Sequence, residues 1–138
     1  MSLPFATGGR DISEHEARNR DIVLDYYEKL IGRWDFDAAS EHLGDHFIQH
    51  NPTMPDGLAG LERWVRNVPP PIADAMQHRI ARVLVDGDMV ILHVKVSLTA
   101  MPDSAIVDMF RLENGKIVEH WDVIQPVPSE HLHGNGMF

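Results

Sequence analysis

In the second half of the chain, extended apolar segments alternate with turn signals, and this pattern limits the possible folds more than any other part of the sequence. The predicted strands are Gln77–Val85, Met89–Leu98, Ser104–Glu113 and Lys116–Val127. Their connections are Asp86-Gly87-Asp88, a loop containing Pro102, and Glu113-Asn114-Gly115. Short turns rich in Gly, Asn and Asp are typical of β-hairpins, so the pattern predicts an antiparallel meander.

The first half of the chain predicts helices instead. A helix from about Ser13 to Gly32 has Ser13 as a suitable N-cap and an apolar stripe at helical spacing. A short helix is predicted over Asp35–Leu43, a brief extended piece over Phe47–His50, and a third helix over about Leu58–Asn67 that ends before three prolines, 69–71. Helices followed by a meander indicate an α+β domain, in contrast to an alternating α/β one.

The length of 138 residues fits a single domain. We expect a flexible N-terminal arm over residues 1–12, one domain over 13–128, and a C-terminal tail without periodicity over 129–138. No apolar run approaches the ~20 residues that a membrane span requires, and the start does not resemble a secretory signal. We therefore expect a cytoplasmic protein that does not associate with membranes.

Charge and composition exclude several function classes. The formal net charge of −9 and the lack of any basic stripe argue against nucleic acid as a partner. The chain has no cysteine, which excludes disulfides, thiolate catalysis and cysteine-ligated zinc.

Polar residues that interrupt the strands are the candidate functional groups. Strand alternation places Asp108 on one face with Ile106 and Phe110, opposite Arg111, and it places His120 and Asp122 together. His93 interrupts another apolar strand. Each residue alone could be a hydrogen-bonded structural group. Several of them on adjacent strands around one face indicate a pocket in which buried groups perturb one another's pKa values.

Two segments carry a family resemblance. They are Phe47-Ile48-Gln49-His50-Asn51-Pro52, followed by Pro55-Asp56-Gly57, and the run from Asp108 to Asp122, DMFRLENGKIVEHWD. The sequence resembles SnoaL-like proteins of the nuclear transport factor 2-like superfamily over about Asn19 to Pro128. The resemblance implies a cone-shaped, strongly bent, antiparallel-rich sheet packed on three N-terminal helices, a cystatin-like α+β barrel. It also implies a homodimer formed through the outer face of the sheet.

The resemblance also implies a chemistry. Characterised SnoaL-like proteins include polyketide cyclases that perform an intramolecular aldol condensation without metal. Asp108 resembles their acid/base aspartate and matches a pocket aspartate of ketosteroid isomerase. Asn51 falls near the proton-abstracting aspartate of that isomerase, but an amide cannot act as a base at neutral pH. The Asp-Arg-Asp arrangement of the related epoxide hydrolases has no obvious counterpart here.

The resulting hypothesis is metal-independent, cofactor-independent proton transfer on a small apolar carbonyl compound, leading to cyclisation or isomerisation. The predicted catalytic residues are Asp108, His120 and His93. The predicted substrate-binding residues are Gln49, His50, Asn51, Asp122 and Phe110. Two alternatives stay open: a metal site built from His50, His93, His120 and Asp108 or Asp122, and a non-catalytic, dimeric ligand-binding domain.

Overall fold

The computed structural model of the chain describes residues 6–7 and 10–138, and its fold is built on a six-stranded sheet. The strands are β1 (Ala6–Thr7), β2 (Leu43–Gln49), β3 (Gln77–Asp86), β4 (Met89–Ser97), β5 (Ser104–Glu113) and β6 (Lys116–Pro126). Their order in the sheet is β1-β3-β4-β5-β6-β2. The predicted meander from β3 to β6 is antiparallel, whereas β1 and β2 add in parallel at the two edges.

In the part of the chain that the structure describes, four helices precede the meander. They are α1 (Glu14–Tyr27), α2 (Phe36–Ala39), α3 (Gly57–Arg66) and α4 (Pro70–Ala75). A π-helical turn over Glu28–Gly32 extends α1, and a 3₁₀ turn over Ser40–His42 extends α2. The predicted α+β class is confirmed. Among the described residues, every helix is too short or too polar to cross a bilayer.

The start of α1 is fixed by the predicted N-cap. The Ser13 hydroxyl accepts from the Glu16 backbone N–H, and the Glu16 carboxylate accepts from the Ser13 N–H. This reciprocal capping box satisfies two donors that the helix itself leaves unpaired. Glu16 also accepts from Arg10 and from the Gly87 backbone N–H, and these hydrogen bonds lower its pKa to about 2. Glu16 thus ties α1 to the turn between β3 and β4.

Two boundaries differ from the sequence prediction. Leu43 was expected to end a helix, but it begins β2, because the chain there pairs with Ile117 of β6 and continues in extended form to Gln49. The three prolines were expected only to stop α3. They also start α4, since Pro70 occupies the first helical turn, where a backbone N–H has no intrahelical partner. Part of the predicted N-terminal arm, residues 1–5 and 8–9, lies outside the described residues.

The helices cover one face of the sheet, which we call the inner face. Buried side chains of β4 (Val90, Leu92 and Val94) pack there in one cluster with Val23 and Tyr26 of α1. Bulges interrupt the register between β3 and β4 and between β5 and β6. Such bulges bend strands and increase the local twist, which curves the sheet around the helices.

The opposite face, which we call the outer face, carries the end of the chain. Residues 129–138 form no helix or strand. Even so, the Phe138 ring stacks on His93, with 5.5 Å between the ring centroids. The cationic groups of Arg79 and Lys95 lie 5.8 and 5.7 Å from the same ring. Cation–π contacts of this kind hold the last residue of the predicted tail on the sheet.

Candidate functional site

A cavity of about 580 Å³ lies between the inner face and the helices. Polar side chains lie at its buried end, on β5, β6 and the end of β2. Its remaining wall is mostly apolar and includes Trp34, Met54, Trp64, Ile72 and Met76. This volume falls within the range of pockets that bind drug-sized organic ligands.

A hydrogen-bonded pair forms the centre of the polar end. His120 Nε2 lies 2.8 Å from Asp108 Oδ1, and the two residues are 7% and 5% exposed. The pairing of β5 with β6 explains the contact, since Asp108 lies opposite Asp122 and Phe110 lies opposite His120. Asp108 and His120 are therefore diagonal neighbours on the same face, close enough for long side chains to meet.

Tyr27 supplies a second partner for Asp108. Its hydroxyl donates to Asp108 Oδ2 over 3.1 Å. Burial, together with the neighbouring Asp108 carboxylate, raises the pKa of Tyr27 well above its usual value. The phenol therefore stays protonated and keeps donating across the ordinary pH range, so both oxygens of Asp108 have a fixed neighbour.

Asp122 is held by an amide from the loop after β2. Asn51 Nδ2 lies 2.9 and 2.8 Å from the two carboxylate oxygens of Asp122. The orientation of this amide is fixed from its other side, because Asn51 Oδ1 accepts from both the backbone N–H and the hydroxyl of Thr53. The buried Asn51 thus presents donors, and not an acceptor, to the carboxylate.

Gln49 and Phe110 complete the polar end. Gln49 lies opposite His120 in the parallel pairing of β2 with β6, and its Oε1 is 2.8 Å from His120 Nδ1. The Phe110 ring lies against the imidazole of His120, with 5.0 Å between the ring centroids. Phe110 also makes an edge contact with Tyr27. It forms an apolar wall that keeps the imidazole in one place.

Two predicted site residues do not share this cavity, which corrects the sequence-based assignment. His93 lies on the outer face, where Arg82 Nη1 donates to its Nδ1 over 3.1 Å. The reason is strand alternation, since the neighbouring Leu92 and Val94 point inward and are fully buried. His93 therefore cannot reach Asp108 from its position on β4.

His50 also lies away from the cavity. It follows the last residue of β2, where its ring stacks on Trp121 with 4.7 Å between centroids. Its Nε2 is 2.9 Å from Glu119 Oε2. Trp121 and Glu119 alternate with His120 along β6, so they belong to the outer face.

The cavity offers three groups that could approach a cation. The ligand atoms of Asp108, His120 and Asp122 all lie within 4.8 Å of one another. However, Asp108 and His120 are hydrogen-bonded to each other, and both oxygens of Asp122 accept from Asn51. A metal would have to break these bonds, so the donor set does not fit a preformed metal site.

The metal set predicted from the sequence is not assembled, because His50 and His93 lie on the outer face, away from His120. A second acidic cluster, Asp25, Glu41 and His42, is largely exposed. The ammonium group of Lys29 already donates to both carboxylates of this cluster.

The sequence interpretation did not foresee the hydrogen bond that Tyr27 makes to Asp108 in the site. The apolar stripe of α1 places Tyr27 toward the interior, but it does not show which hydroxyl will meet a carboxylate. Trp34 has φ of 54°, a left-handed backbone that is rare for bulky residues. This conformation, at the end of the π-helical turn, brings its ring to 5.4 Å from Trp64 at the apolar end of the cavity.

Comparison with known proteins supports this description. The model of the SnoaL-like domain matches residues 23–120, well over half of the chain. No protein of curated function matches the sequence significantly. Three similar solved structures are an NTF-2 like protein of unknown function from Burkholderia xenovorans LB400, a candidate polyketide cyclase from Bacillus cereus ATCC 10987, and a candidate ketosteroid isomerase from Kribbella flavida DSM 17836.

The three structures share the fold at low sequence identity. The Burkholderia protein has a TM-score of 0.69 and 18% identity, with 86% of this chain and 91% of that chain covered. The Bacillus protein has 0.68 and 20%, with 90% and 87% covered. The Kribbella protein has 0.67 and 19%, with 86% and 85% covered. At such identities the comparison shows the fold alone.

Proposed function

Because this chain belongs to the SnoaL-like family, we propose that its cavity binds a small, mostly apolar carbonyl compound and moves a proton at the carbon beside the carbonyl, without a metal. The observation that carries the proposal is the 2.8 Å contact between Asp108 and His120 at the buried end of an otherwise apolar cavity. A carboxyl–imidazole pair shielded from water is suited to general acid–base catalysis.

The chemistry balances without an oxidant or reductant. The Asp108 carboxylate takes a proton from the substrate carbon, and the electron pair of the broken C–H bond becomes an enolate. In cyclisation, the enolate carbon forms a C–C bond with a second carbonyl of the same molecule, and the resulting alkoxide takes the proton back from Asp108. In isomerisation, the proton returns to a different carbon. The protein ends each cycle as it began.

The neighbouring groups support these steps by position and charge. Tyr27 and His120 both donate to or share a proton with Asp108, so they stabilise its negative charge between substrates. Hydrogen-bond donors of this kind also stabilise an enolate oxygen that approaches them, each by about 10²–10³-fold in rate. The amides of Gln49 and Asn51 are engaged with His120 and Asp122. We therefore assign them to holding those side chains, instead of the direct substrate contacts expected from the sequence.

The experiment is proton exchange in D₂O with a panel of aromatic ketones and β-keto esters, followed by ¹H NMR. The protein should accelerate loss of the C–H signal beside the carbonyl for those compounds that it binds in native mass spectrometry. Asp108→Asn should lower this acceleration by about 10²–10⁴-fold. Asp45→Asn is the matched control, since Asp45 is exposed on β2 and pairs with His46. Equal rates in both variants would remove Asp108 from the chemistry.

A non-catalytic binding domain is the second candidate. It is favoured by one observation: in the described part of the chain, every buried side-chain nitrogen and oxygen already has a hydrogen-bond partner. In such a site the polar side chains can serve only to hold one another in place, and the ligand then binds through apolar contacts. Binding of panel compounds without any acceleration of C–H exchange would favour this function over catalysis.

The outer face suggests a partner, a second copy of this chain. Val107 and Val123 lie opposite each other in the pairing of β5 with β6, and Leu84 lies on β3 of the same sheet. They are 37%, 64% and 45% exposed. Exposed apolar patches on a sheet face mark interaction sites. We propose that two copies associate through this face and bury these residues.

A further inference from the structure

The carboxamide of Gln49 has an orientation that the backbone determines. Gln49 Oε1 lies 2.9 Å from the backbone N of Asn51, which can only donate, so Oε1 is the acceptor. The amide nitrogen of Gln49 faces the sulfur of Met54 over 3.6 Å. A flipped amide would bring its NH₂ group against the Asn51 N–H, which is a repulsive contact between two donors.

The same oxygen meets the imidazole. Gln49 Oε1 lies 2.8 Å from His120 Nδ1. Since the oxygen accepts, Nδ1 must carry the hydrogen that it donates. From these contacts we propose that Gln49 is a positioning residue: it fixes the hydrogen of His120 on Nδ1, so that Nε2 is the nitrogen that exchanges a proton with Asp108.

A consequence follows for the number of protons in the site. A neutral imidazole with hydrogen on Nδ1 has only a lone pair on Nε2, and a lone pair repels a carboxylate oxygen at 2.8 Å. The contact with Asp108 Oδ1 therefore requires one further proton between the two groups. The pair holds it as carboxylic acid and imidazole or as carboxylate and imidazolium. In the proposed function, on which this step rests, the carboxylate–imidazolium form is the one that can take the proton from the substrate carbon, while the further proton stays on His120 Nε2.

The other titratable groups that line the cavity are Tyr26, Tyr27, Arg63 and Asp122, and none of them hydrogen-bonds to His120 in the described residues. The Tyr27 hydroxyl donates to the other oxygen of Asp108, and Asp122 accepts from Asn51. Arg63 also lines the cavity, but it is exposed on α3. Only Gln49 touches Nδ1 of His120 among the hydrogen bonds of the described residues, so the tautomer depends on this one contact.

The test is a long-range ¹H–¹⁵N spectrum of protein labelled in histidine, which needs no substrate. In wild type, Nδ1 of His120 should have the chemical shift of a protonated nitrogen. In Gln49→Met, which keeps the side-chain length but removes the acceptor, a form with hydrogen only on Nε2 should appear. Gln49→Glu, which restores an acceptor, should retain the wild-type tautomer.

The outcomes separate this inference from the proposed function. An unprotonated Nδ1 in wild type overturns the inference, and so does a Gln49→Met spectrum identical to that of wild type. The wild-type spectrum tests the inference by itself, even if a variant does not fold. If the tautomer is as expected, Gln49→Met should reduce C–H exchange by roughly 10²-fold, with partial rescue in Gln49→Glu. A different result is that His120 shows the expected tautomer while neither wild type nor any variant catalyses C–H exchange. That result would contradict the proposed function and leave the inference about Gln49 intact.

Discussion

The two faces of the sheet both carry histidines, and they use them differently. On the inner face, His120 is 7% exposed and both ring nitrogens have fixed partners, Gln49 and Asp108. On the outer face, His93 accepts from Arg82 and stacks on Phe138, at the edge of solvent. Nδ1 donates in the first case and accepts in the second, since a guanidinium can only donate.

The difference shows that residue type alone does not define an acid–base group. An acid–base histidine needs a partner that can exchange a proton with it. It also needs surroundings that exclude water, because electrostatic interactions are stronger there. His120 has a carboxyl partner and an apolar wall in Phe110. His93 on the outer face contacts the permanently charged Arg82 and the ring of Phe138. These neighbours stabilise packing and provide no proton relay.

The strongest test of this contrast makes the same substitution on each face. His120→Gln should lower C–H exchange of a bound ketone by about 10²–10⁴-fold, because the proton between the imidazole and Asp108 is lost. His93→Gln should leave the exchange rate unchanged. ¹H NMR in D₂O measures both. A comparable loss in His93→Gln would mean that the outer face takes part in the chemistry, and the contrast between the faces would fail.

A second test concerns the role proposed for the outer face, which is the association of two copies of this chain. Val123→Glu would bury a carboxylate without a partner in the proposed dimer, at a cost of at least ~2 kcal/mol. The dimer dissociation constant should therefore rise by at least about 30-fold. Light scattering across a concentration series measures it.

The matched control for this test is the next residue. Ile124 alternates with Val123 and lines the cavity on the inner face, although it is 50% exposed. Ile124→Glu should leave the oligomeric state unchanged. A monomer in wild type at micromolar concentration, or equal weakening by both substitutions, would contradict a dimer through the outer face.

Sequence alternation was sufficient for the part of the site that lies on consecutive strands. It put Asp108 and Phe110 on one face of β5 and His120 and Asp122 on one face of β6, and the hairpin turn set a register that joins them. Alternation also puts His93 opposite its inward neighbours Leu92 and Val94. His93 was included in the predicted site because of its residue type, although alternation places its side chain on the opposite face.

The rest of the site depends on contacts that no local pattern contains. Tyr27 meets Asp108 across 81 residues of sequence, and Gln49 meets His120 across 71. The first contact depends on how α1 rotates as it packs. The second depends on β2 joining β6 in parallel, which follows from no hairpin signal. The packing of Phe138 on the outer face was missed for the same reason, since its segment has no periodicity.

A third prediction compares two adjacent tyrosines of the inner face. Tyr27→Phe removes the donor to Asp108 Oδ2 and leaves a buried oxygen without its partner, which should lower the free energy of unfolding by about 1–3 kcal/mol. Tyr26→Phe is the control, because Tyr26 is equally buried but, in the described residues, the tyrosine that donates to Asp108 is Tyr27. Its effect should be smaller. Urea denaturation measures both, and equal losses would mean that the hydroxyl contact with Asp108 adds nothing.

The smallest effect is expected at an ion pair on the outer face. Burial raises the pKa of Glu119, but hydrogen bonds from His50 and Arg111 outweigh it and leave the pKa below the usual value of about 4.5. A group with a lowered folded-state pKa stabilises the protein above its unfolded pKa, and this stability is lost as the pH falls through the folded value. Glu119→Gln should therefore cost about 0–1 kcal/mol at pH 7, and the difference from wild type should shrink below pH 4.5.

The control for this prediction shares the same arginine. Glu113 also accepts from Arg111, but its side chain is 48% exposed, against 14% for Glu119. Glu113→Gln should cost less at neutral pH, since solvent screens an exposed pair. Denaturation curves between pH 7 and pH 3 measure both variants. A Glu119→Gln cost that grows toward low pH would reverse the expected sign. It would show that Glu119 holds a proton in the folded state, as the pair of Asp108 and His120 does. The two faces would then resemble each other in protonation, although the residues of the inner face are more buried.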